Sequence, residues 1–195
     1  MPKETELKFV PCTPLLKEDV FSLPYIRENS GELRRIEMET EYLDTEDNLA
    51  RSMGITLRCR LENEKSVFYA KQSKKRSGAL SERGEWSVET SDFSNATESL
   101  REVGAPTDAF CGKELLTVAK VSFVRYEATV EISSLSFILS YDEGLFNDKT
   151  PFSELELELI CGEVAELLVI GDKMKRDLGL TDEPRSKYAR ALLYK

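Results

Sequence analysis

The segment Glu154-Leu155-Glu156-Leu157-Glu158-Leu159 alternates carboxylates with leucines. Successive side chains of a β-strand point to opposite faces, so this pattern predicts a strand with one apolar face and one purely acidic face. Like charges two residues apart on one strand repel each other. A bound cation would give the arrangement a physical reason, because carboxylates at positions i and i+2 can share Mg²⁺ at about 2.0–2.1 Å.

The same alternation recurs along the chain, and its polar positions are almost purely ionisable. Near the N-terminus Glu4, Glu6 and Lys8 share one predicted strand face, and Leu7 and Phe9 share the other. Further strands carry Arg58, Arg60, Lys71, Arg83, Glu85 and Arg125 in the same way. Arginines at i and i+2 can bind adjacent phosphoryl groups bidentately. The alternative is a barrel whose charged strand faces are merely solvated, which explains one such pair better than several pairs of both signs.

Length and charge limit the classes of protein that fit. A chain of 195 residues is expected to form one domain over 1–195. A net charge of -9 argues against a nucleic-acid or anionic-membrane partner, because both would be repelled. No secretory signal and no apolar run of about 18 residues is visible. The four cysteines form no C-x-x-C pair, which suits reduced thiols, so we expect a cytoplasmic protein.

The sequence contains no histidine. This excludes histidine general bases and Ser-His-Asp triads, and it removes nearly all zinc and copper sites. Any metal chemistry must therefore use carboxylate ligands, which favour Mg²⁺ or Mn²⁺.

The periodicities together predict an α+β fold, a closed eight-stranded antiparallel β-barrel with peripheral helices. The predicted strands are 3–10, 32–44, 55–62, 66–72, 79–89, 116–132, 136–142 and 152–160. Helical segments are predicted at 13–20, 45–54, 94–103, 107–112, 163–178 and 186–194. The stretches 74–78 and 180–184 are predicted to be loops.

Several motifs, in order along residues 3–192, resemble those of the CYTH superfamily, the triphosphate tunnel metalloenzymes. They are Glu4-Thr5-Glu6-Leu7-Lys8 (E-x-E-x-K), Tyr42-Leu43-Asp44-Thr45, Leu57-Arg58-Cys59-Arg60, Lys71, Arg83-Gly84-Glu85, Arg125, Asp142 before the E-x-E-x-E strand, and Ser186-Lys187-Tyr188. The resemblance implies a barrel whose tunnel holds a linear triphosphate beside divalent metal, Mg²⁺ or Mn²⁺.

Carried over by position, the resemblance implies three sets of site residues. The metal ligands would be Glu4, Glu6, Asp142, Glu154 and Glu156. Triphosphate oxygens would bind Lys8, Arg58, Arg60, Lys71, Arg83, Arg125 and Lys187. Glu85 and Glu158 would orient neighbouring basic side chains. Catalysis would depend on Glu4, Glu6, Glu156 and Lys8, with Lys8 positioning the attacking water or the leaving oxygen.

Other residues favour structural roles. An aromatic residue, an Asx residue and an N-cap at a strand-to-helix turn make Tyr42, Asp44 and Thr45 mainly scaffolding. Trp86 is expected to pack in the core, with stacking on a base at the barrel rim as the alternative. Lys74, Lys75 and Arg76 are either a solvated turn or a group that steers anions to the entrance.

Inorganic tripolyphosphate explains the ionisable residues with the fewest extra assumptions, so we expect a metal-dependent triphosphatase, a monomer or homodimer. A thiamine-triphosphatase and a class IV-type adenylyl cyclase with ATP as substrate remain alternatives. A non-catalytic polyphosphate- or nucleotide-binding module is the alternative of another class. Five carboxylates beside the ligand favour the enzyme, because a pure anion binder gains nothing from them without metal.

Overall fold

The computed structural model describes residues 3–90 and 95–194, and within them all side chains except those of residue 3 and residues 73–76. The described residues form nine strands. They are β1 (Lys3–Pro11), β2 (Arg34–Asp44), β3 (Ile55–Glu62), β4 (Lys65–Ser77), β5 (Leu80–Glu89), β6 (Leu116–Ile132), β7 (Leu135–Phe146), β8 (Thr150–Cys161) and β9 (Leu180–Asp182).

Eight of these strands close into a barrel. Their order is β5-β4-β3-β2-β6-β7-β8-β1, and pairing of β1 with β5 completes the ring. Neighbours are antiparallel throughout. Strand β9 lies outside the ring and pairs with the end of β1 at Phe9–Pro11. The predicted barrel is confirmed, and its closure leaves none of the eight strands with an unpaired edge.

Helices decorate the barrel. They are α1 (Lys17–Phe21), α2 (Pro24–Arg27), α3 (Leu49–Ser52), α4 (Ala96–Glu102), α5 (Val164–Leu178) and α6 (Lys187–Ala191), with short 3₁₀ turns at Asp108–Phe110 and Leu192–Tyr194. Among the described helices, none has the length and apolar composition needed to cross a membrane.

The main hydrophobic core lies outside the barrel wall, beneath α5. The apolar faces of β1 and β8 pack there against the buried face of that helix. Gly171 permits the contact: a Cβ atom at this position would lie 2.6 Å from Leu7 Cδ1 and 3.1 Å from Phe9 Cζ. The alternation of the first quoted segment therefore turns its leucines outward to the helix and its glutamates inward.

A second core covers the outer face of β3, β4 and β5 and includes Leu57, Phe68 and Leu100 of α4. Trp86 belongs to it with 4% of its surface exposed, as predicted. These two cores cover parts of the barrel wall with apolar packing, and a third cluster, which includes Met38, Phe123 and Phe152, packs against Tyr188 and Ala191 of α6.

Several predicted boundaries were wrong. Strand β4 continues to Ser77, so residues 74–77 are strand and the chain turns only at Gly78, where φ is +56°. The side chains of Lys74, Lys75 and Arg76 lie outside the described ones, and their role stays a prediction. Strand β9 occupies part of the predicted loop 180–184, because three residues are too few to show a period.

Most predicted helical segments contain a helix, but the bounds of several were wrong. Segment 13–20 is replaced by α1 and α2, since Pro24 begins a second helix. Residues 107–112 form only a 3₁₀ turn, and 94–103 shortens to α4, with Ser94 outside the described residues. Helix α5 ends at Leu178, and the next residue, Gly179, has the left-handed φ of +62° that is common after the last helical residue.

We predict that Gly171→Val lowers the free energy of unfolding by about 1–3 kcal/mol, because the added methyl groups overlap Leu7 and Phe9 in a closely packed core. Urea denaturation measures the change. Asp172→Ala, at an exposed position of the same helix, is the control and should stay within about 0.5 kcal/mol of the parent. Equal stability of the valine variant would contradict the close packing of α5.

Candidate active site

The barrel encloses a cavity of about 280 Å³. Seven carboxylates line it: Glu4, Glu6, Glu62, Glu85, Glu127, Glu156 and Glu158. Seven basic side chains line it as well: Lys8, Arg58, Arg60, Lys71, Arg83, Arg125 and Lys187. Among the described side chains, acidic and basic groups therefore line the cavity in equal number.

One group of carboxylates lies where β7 meets β8. Asp142 pairs with Glu154 across the two strands, and Glu156 follows two residues later on the same face. One oxygen of each of the three lies within 4.8 Å of the others. Asp142 and Glu154 have 0% exposure, whereas Glu156 borders the cavity. We call Asp142, Glu154 and Glu156 the acidic trio.

Basic side chains surround the acidic trio. Lys187 Nζ lies 2.7 Å from Asp142 Oδ2 and 3.2 Å from Glu156 Oε1, and it also contacts Glu154 Oε1. Arg125 donates two hydrogen bonds of 2.8 Å to the two oxygens of Asp142. Arg125 also donates a 2.5 Å bond to Glu156. Bonds between charged partners of this kind are the strong ones.

A further lysine joins the trio to β1. Lys8 Nζ is 3.1 Å from Glu156 Oε1 and 3.5 Å from Glu6 Oε1. The β1–β8 register places Lys8 directly opposite Glu156. Lys8 therefore bridges the acidic trio and the first strand.

The pKa values of the acidic trio result from two opposing effects: burial raises them, and pairing with basic side chains lowers them. Burial alone would raise the pKa of Asp142, but Arg125 and Lys187 hold it below its usual value. Burial likewise opposes Lys187 and Lys8 at Glu156, and there the cations lower the pKa well below its usual value. At Glu154 burial prevails over Lys187, and the pKa is raised. The lysines themselves, which burial alone would discharge, have raised pKa values because of these acids.

Glu4 and Glu6, predicted to be metal ligands with the trio, lie among other partners. Glu4 accepts hydrogen bonds of 3.0 Å from Lys71 and lies 3.0 Å from Arg83 Nε. Burial opposes these cations, which nevertheless lower the pKa of Glu4 to about 2. Glu6 contacts Arg83 as well as Lys8, and Glu85 lies 2.7 Å from Lys71. This group extends from β1 to β4 and β5.

Among the described lining residues, the basic side chains farthest from a carboxylate lie on β3: Arg58 is 3.8 Å from Glu85 and Arg60 is 3.7 Å from Glu62. Arg60 donates a 3.1 Å hydrogen bond to the neutral Thr40 hydroxyl, and its nearest carboxylate, Glu62, is 3.7 Å away. Arg58 lies 4.4 Å above the ring of Tyr69, and among the described residues its buried Nε has no hydrogen-bond partner. Burial and the neighbouring Arg58 and Arg125 lower the pKa of Arg60, whereas burial at Arg58 is outweighed by Glu85, which raises the pKa of Arg58. These two side chains can therefore attract an anion without first leaving a close carboxylate partner.

Sequence reasoning missed several cavity residues. Glu62 follows Arg60 at i+2, and Glu127 follows Arg125 in the same way, so strand periodicity alone could have found both. Tyr42, expected to be scaffolding, lines the cavity and stacks on Tyr188 with ring centroids 5.0 Å apart.

The neighbours of Tyr42 are scaffolding as predicted. Asp44 accepts hydrogen bonds from the backbone of Thr45, Ala50 and Arg51, and so fixes the start of α3. The hydroxyl of Thr45 accepts from the backbone of Leu49.

Glu158 lies on the cavity wall, two residues beyond Glu156. Burial, together with the negative charges of Glu4 and Glu85, raises its pKa to about 7, although Lys71 opposes the change. An unfolded glutamate ionises near 4.5. Between these two values the folded state keeps a proton that the unfolded state has lost, so the group destabilises the fold as pH rises, and fully so above about 7.

We therefore predict that Glu158→Gln, which removes this penalty, stabilises the metal-free protein at pH 8 more than at pH 5. Urea denaturation in EDTA at both pH values measures the difference. Glu143→Gln, at an exposed position of β7, is the control. A gain of equal size at both pH values would show that Glu158 is not protonated in the folded state at pH 5.

A closed eight-stranded antiparallel barrel with an interior lined by paired acids and bases defines a tunnel type of fold. The chain belongs to the CYTH domain family, whose sequence model matches residues 2–192.

Solved structures share the fold. A candidate adenylyl cyclase from Hippeastrum has 20% identity and a TM-score of 0.71, with 98% of this chain and 96% of that chain covered. A Pyrococcus horikoshii protein has 21% identity and a TM-score of 0.56, covering 94% and 96%. A candidate adenylate cyclase from Bacillus halodurans has 16% identity and a TM-score of 0.57, covering 95% and 96%. At these identities the similarity concerns the fold alone.

Proposed function

We propose that this protein is a divalent-cation-dependent triphosphatase that hydrolyses a linear triphosphate inside the barrel, with inorganic tripolyphosphate as its substrate. One observation carries the proposal: the buried acidic trio reaches the cavity through Glu156, directly beside the basic side chains that line the same cavity. The Hippeastrum neighbour, described as a candidate adenylyl cyclase with a dominant triphosphatase activity, supports hydrolysis as the first activity to test.

The chemistry of the acidic trio suits Mg²⁺ or Mn²⁺. Three carboxylates offer hard oxygen ligands within 4.8 Å of one another, and the sequence has no histidine to favour a softer metal. Glu6 would join them when Lys8, which lies between Glu6 and Glu156, turns to the substrate. Glu4 would follow on release from Lys71. A divalent cation supplies charge neutralisation and a more acidic water.

Binding would proceed by exchange of partners. The seven basic side chains already named would leave carboxylates for phosphoryl oxygens, and the released carboxylates would take the cation. Arg58 and Arg60 would bind first, because they have the least compensation now. Glu85 and Glu158 would hold Lys71 and the β1 side of the wall in place. Binding of triphosphate would therefore free carboxylates for the metal, and binding of metal would free basic side chains for the triphosphate.

Hydrolysis then needs little covalent help from the chain. Phosphoryl transfer to water depends mainly on positioning and on stabilisation of charge on the phosphoryl oxygens. With no histidine available, the proton of the attacking water passes to a carboxylate, to phosphate or to solvent. Lys8, at the border between the acidic trio and β1, would orient the water or the leaving oxygen.

We predict that Lys8→Ala lowers kcat by about 10²–10³-fold, the usual loss when one stabilising donor is removed. Steady-state release of phosphate from tripolyphosphate measures it. Lys113→Ala, at an exposed position outside the barrel interior, should keep the parent rate. Full turnover of the Lys8 variant would reject the role assigned to this lysine.

The function itself is tested by phosphate release from tripolyphosphate, ATP and thiamine triphosphate, with Mg²⁺ and Mn²⁺ in separate reactions and with cyclic AMP assayed in the ATP reaction. We expect tripolyphosphate to have the highest kcat/KM, because fourteen of the twenty-one described lining residues carry a carboxylate or a basic side chain. Cyclic AMP as the main product would favour the cyclase alternative. Binding of triphosphate without turnover of any substrate would favour the non-catalytic module.

A further inference from the structure

A second basic residue of α6 lies behind the acidic trio. Lys187 and Arg190 are three residues apart, so both lie on one face of the helix. Ser186 fixes the start of α6 through its side chain, which accepts a 3.1 Å hydrogen bond from Ala189 N. Lys187 and Arg190 are both buried, with 5% and 8% exposure. Lys187 lines the cavity, whereas Arg190 does not.

Lys187 and Arg190 contact different oxygens of the Glu154 carboxylate. Lys187 contacts the Oε1 atom and Arg190 contacts the Oε2 atom. The Oε1 atom is also 4.0 Å from Lys8, which lines the cavity as well. One oxygen of Glu154 is thus held by groups that a ligand can reach, and the other by a group that a ligand cannot reach.

Arg190 is itself held firmly. Its guanidinium lies 4.8 Å from the ring centre of Phe146 and 5.5 Å from that of Phe152. Its Nε lies 3.7 Å from the buried carboxylate of Glu183. Stacking on aromatic faces requires the planar guanidinium, which a lysine lacks. The contact with Glu154 is therefore fixed in direction.

We propose that Arg190 is a positioning residue that fixes Glu154 for metal binding, an inference that rests on the proposed function. When Lys187 and Lys8 turn to phosphoryl oxygens, Arg190 keeps hold of the Oε2 atom. The Oε1 atom then remains directed at Asp142 and Glu156, ready for a cation. Without Arg190 the carboxylate would rotate freely in a cavity vacated by both lysines.

The test separates metal-dependent from metal-independent binding. A methylene-bridged tripolyphosphate, which resists hydrolysis, is titrated calorimetrically into the protein in EDTA and again in saturating Mn²⁺. The ratio of the two Kd values measures the enhancement by Mn²⁺. We expect Arg190→Met to reduce this enhancement by about 10–100-fold, as loss of a group that orients a metal ligand usually does. The Kd of this variant in EDTA should change less than about threefold. A general structural defect would instead weaken binding in EDTA as well.

Arg176→Met removes the same side chain from an exposed position of α5 and should match the parent. An unchanged enhancement in folded Arg190→Met protein overturns the inference. If that variant does not fold, Arg190→Lys replaces it in the test, because lysine keeps the charge but lacks the planar guanidinium. We expect a reduced enhancement by Mn²⁺ in this variant, and an enhancement equal to that of the parent would refute the positioning role of Arg190. Normal enhancement in the parent without phosphate release would reject the triphosphatase proposal while leaving Arg190 its role.

Discussion

Mutual compensation of buried charges is the constraint on which this structure depends. Removing an ion from water costs several kcal/mol even after relaxation, and only well-placed partners offset that cost. Inside the barrel the partners come from neighbouring strands: Arg125 on β6 binds Asp142 on β7 and Glu156 on β8. Loss of one partner leaves the other charged and buried. A shift of strand register would separate the partners at the same cost, so the ion pairs also favour the observed register.

Such an interior contributes little net stability, because buried ion pairs at best roughly balance their own desolvation. The fold must then be stabilised from outside, and the apolar strand faces do this beneath α5 and α4. Gly171 shows how close that packing is. The barrel thus carries its charged side chains inside and much of its hydrophobic packing outside, while Met38 and Tyr42 of a third apolar cluster line the cavity.

The barrel could be predicted because a two-residue period carries both the strand assignment and the facing of each side chain. The E-L-E-L-E-L segment specified the acidic wall and its apolar back in one pattern. Partner choice could not be predicted, because it depends on register between strands distant in sequence: Glu4 lies opposite Arg83, while Lys8 lies opposite Glu156. Arg190 was missed since its helix has only five residues, too few to show a face.

The central claim is that cation and triphosphate together replace the internal pairs. A crystal structure of the protein with Mn²⁺ and a methylene-bridged tripolyphosphate tests it most directly, with Mn²⁺ located by anomalous scattering. The account predicts Mn²⁺ between Asp142, Glu154 and Glu156, with Lys187 and Arg125 turned to phosphoryl oxygens. A triphosphate bound outside the barrel, or bound inside while both basic residues keep their carboxylate partners, would contradict it.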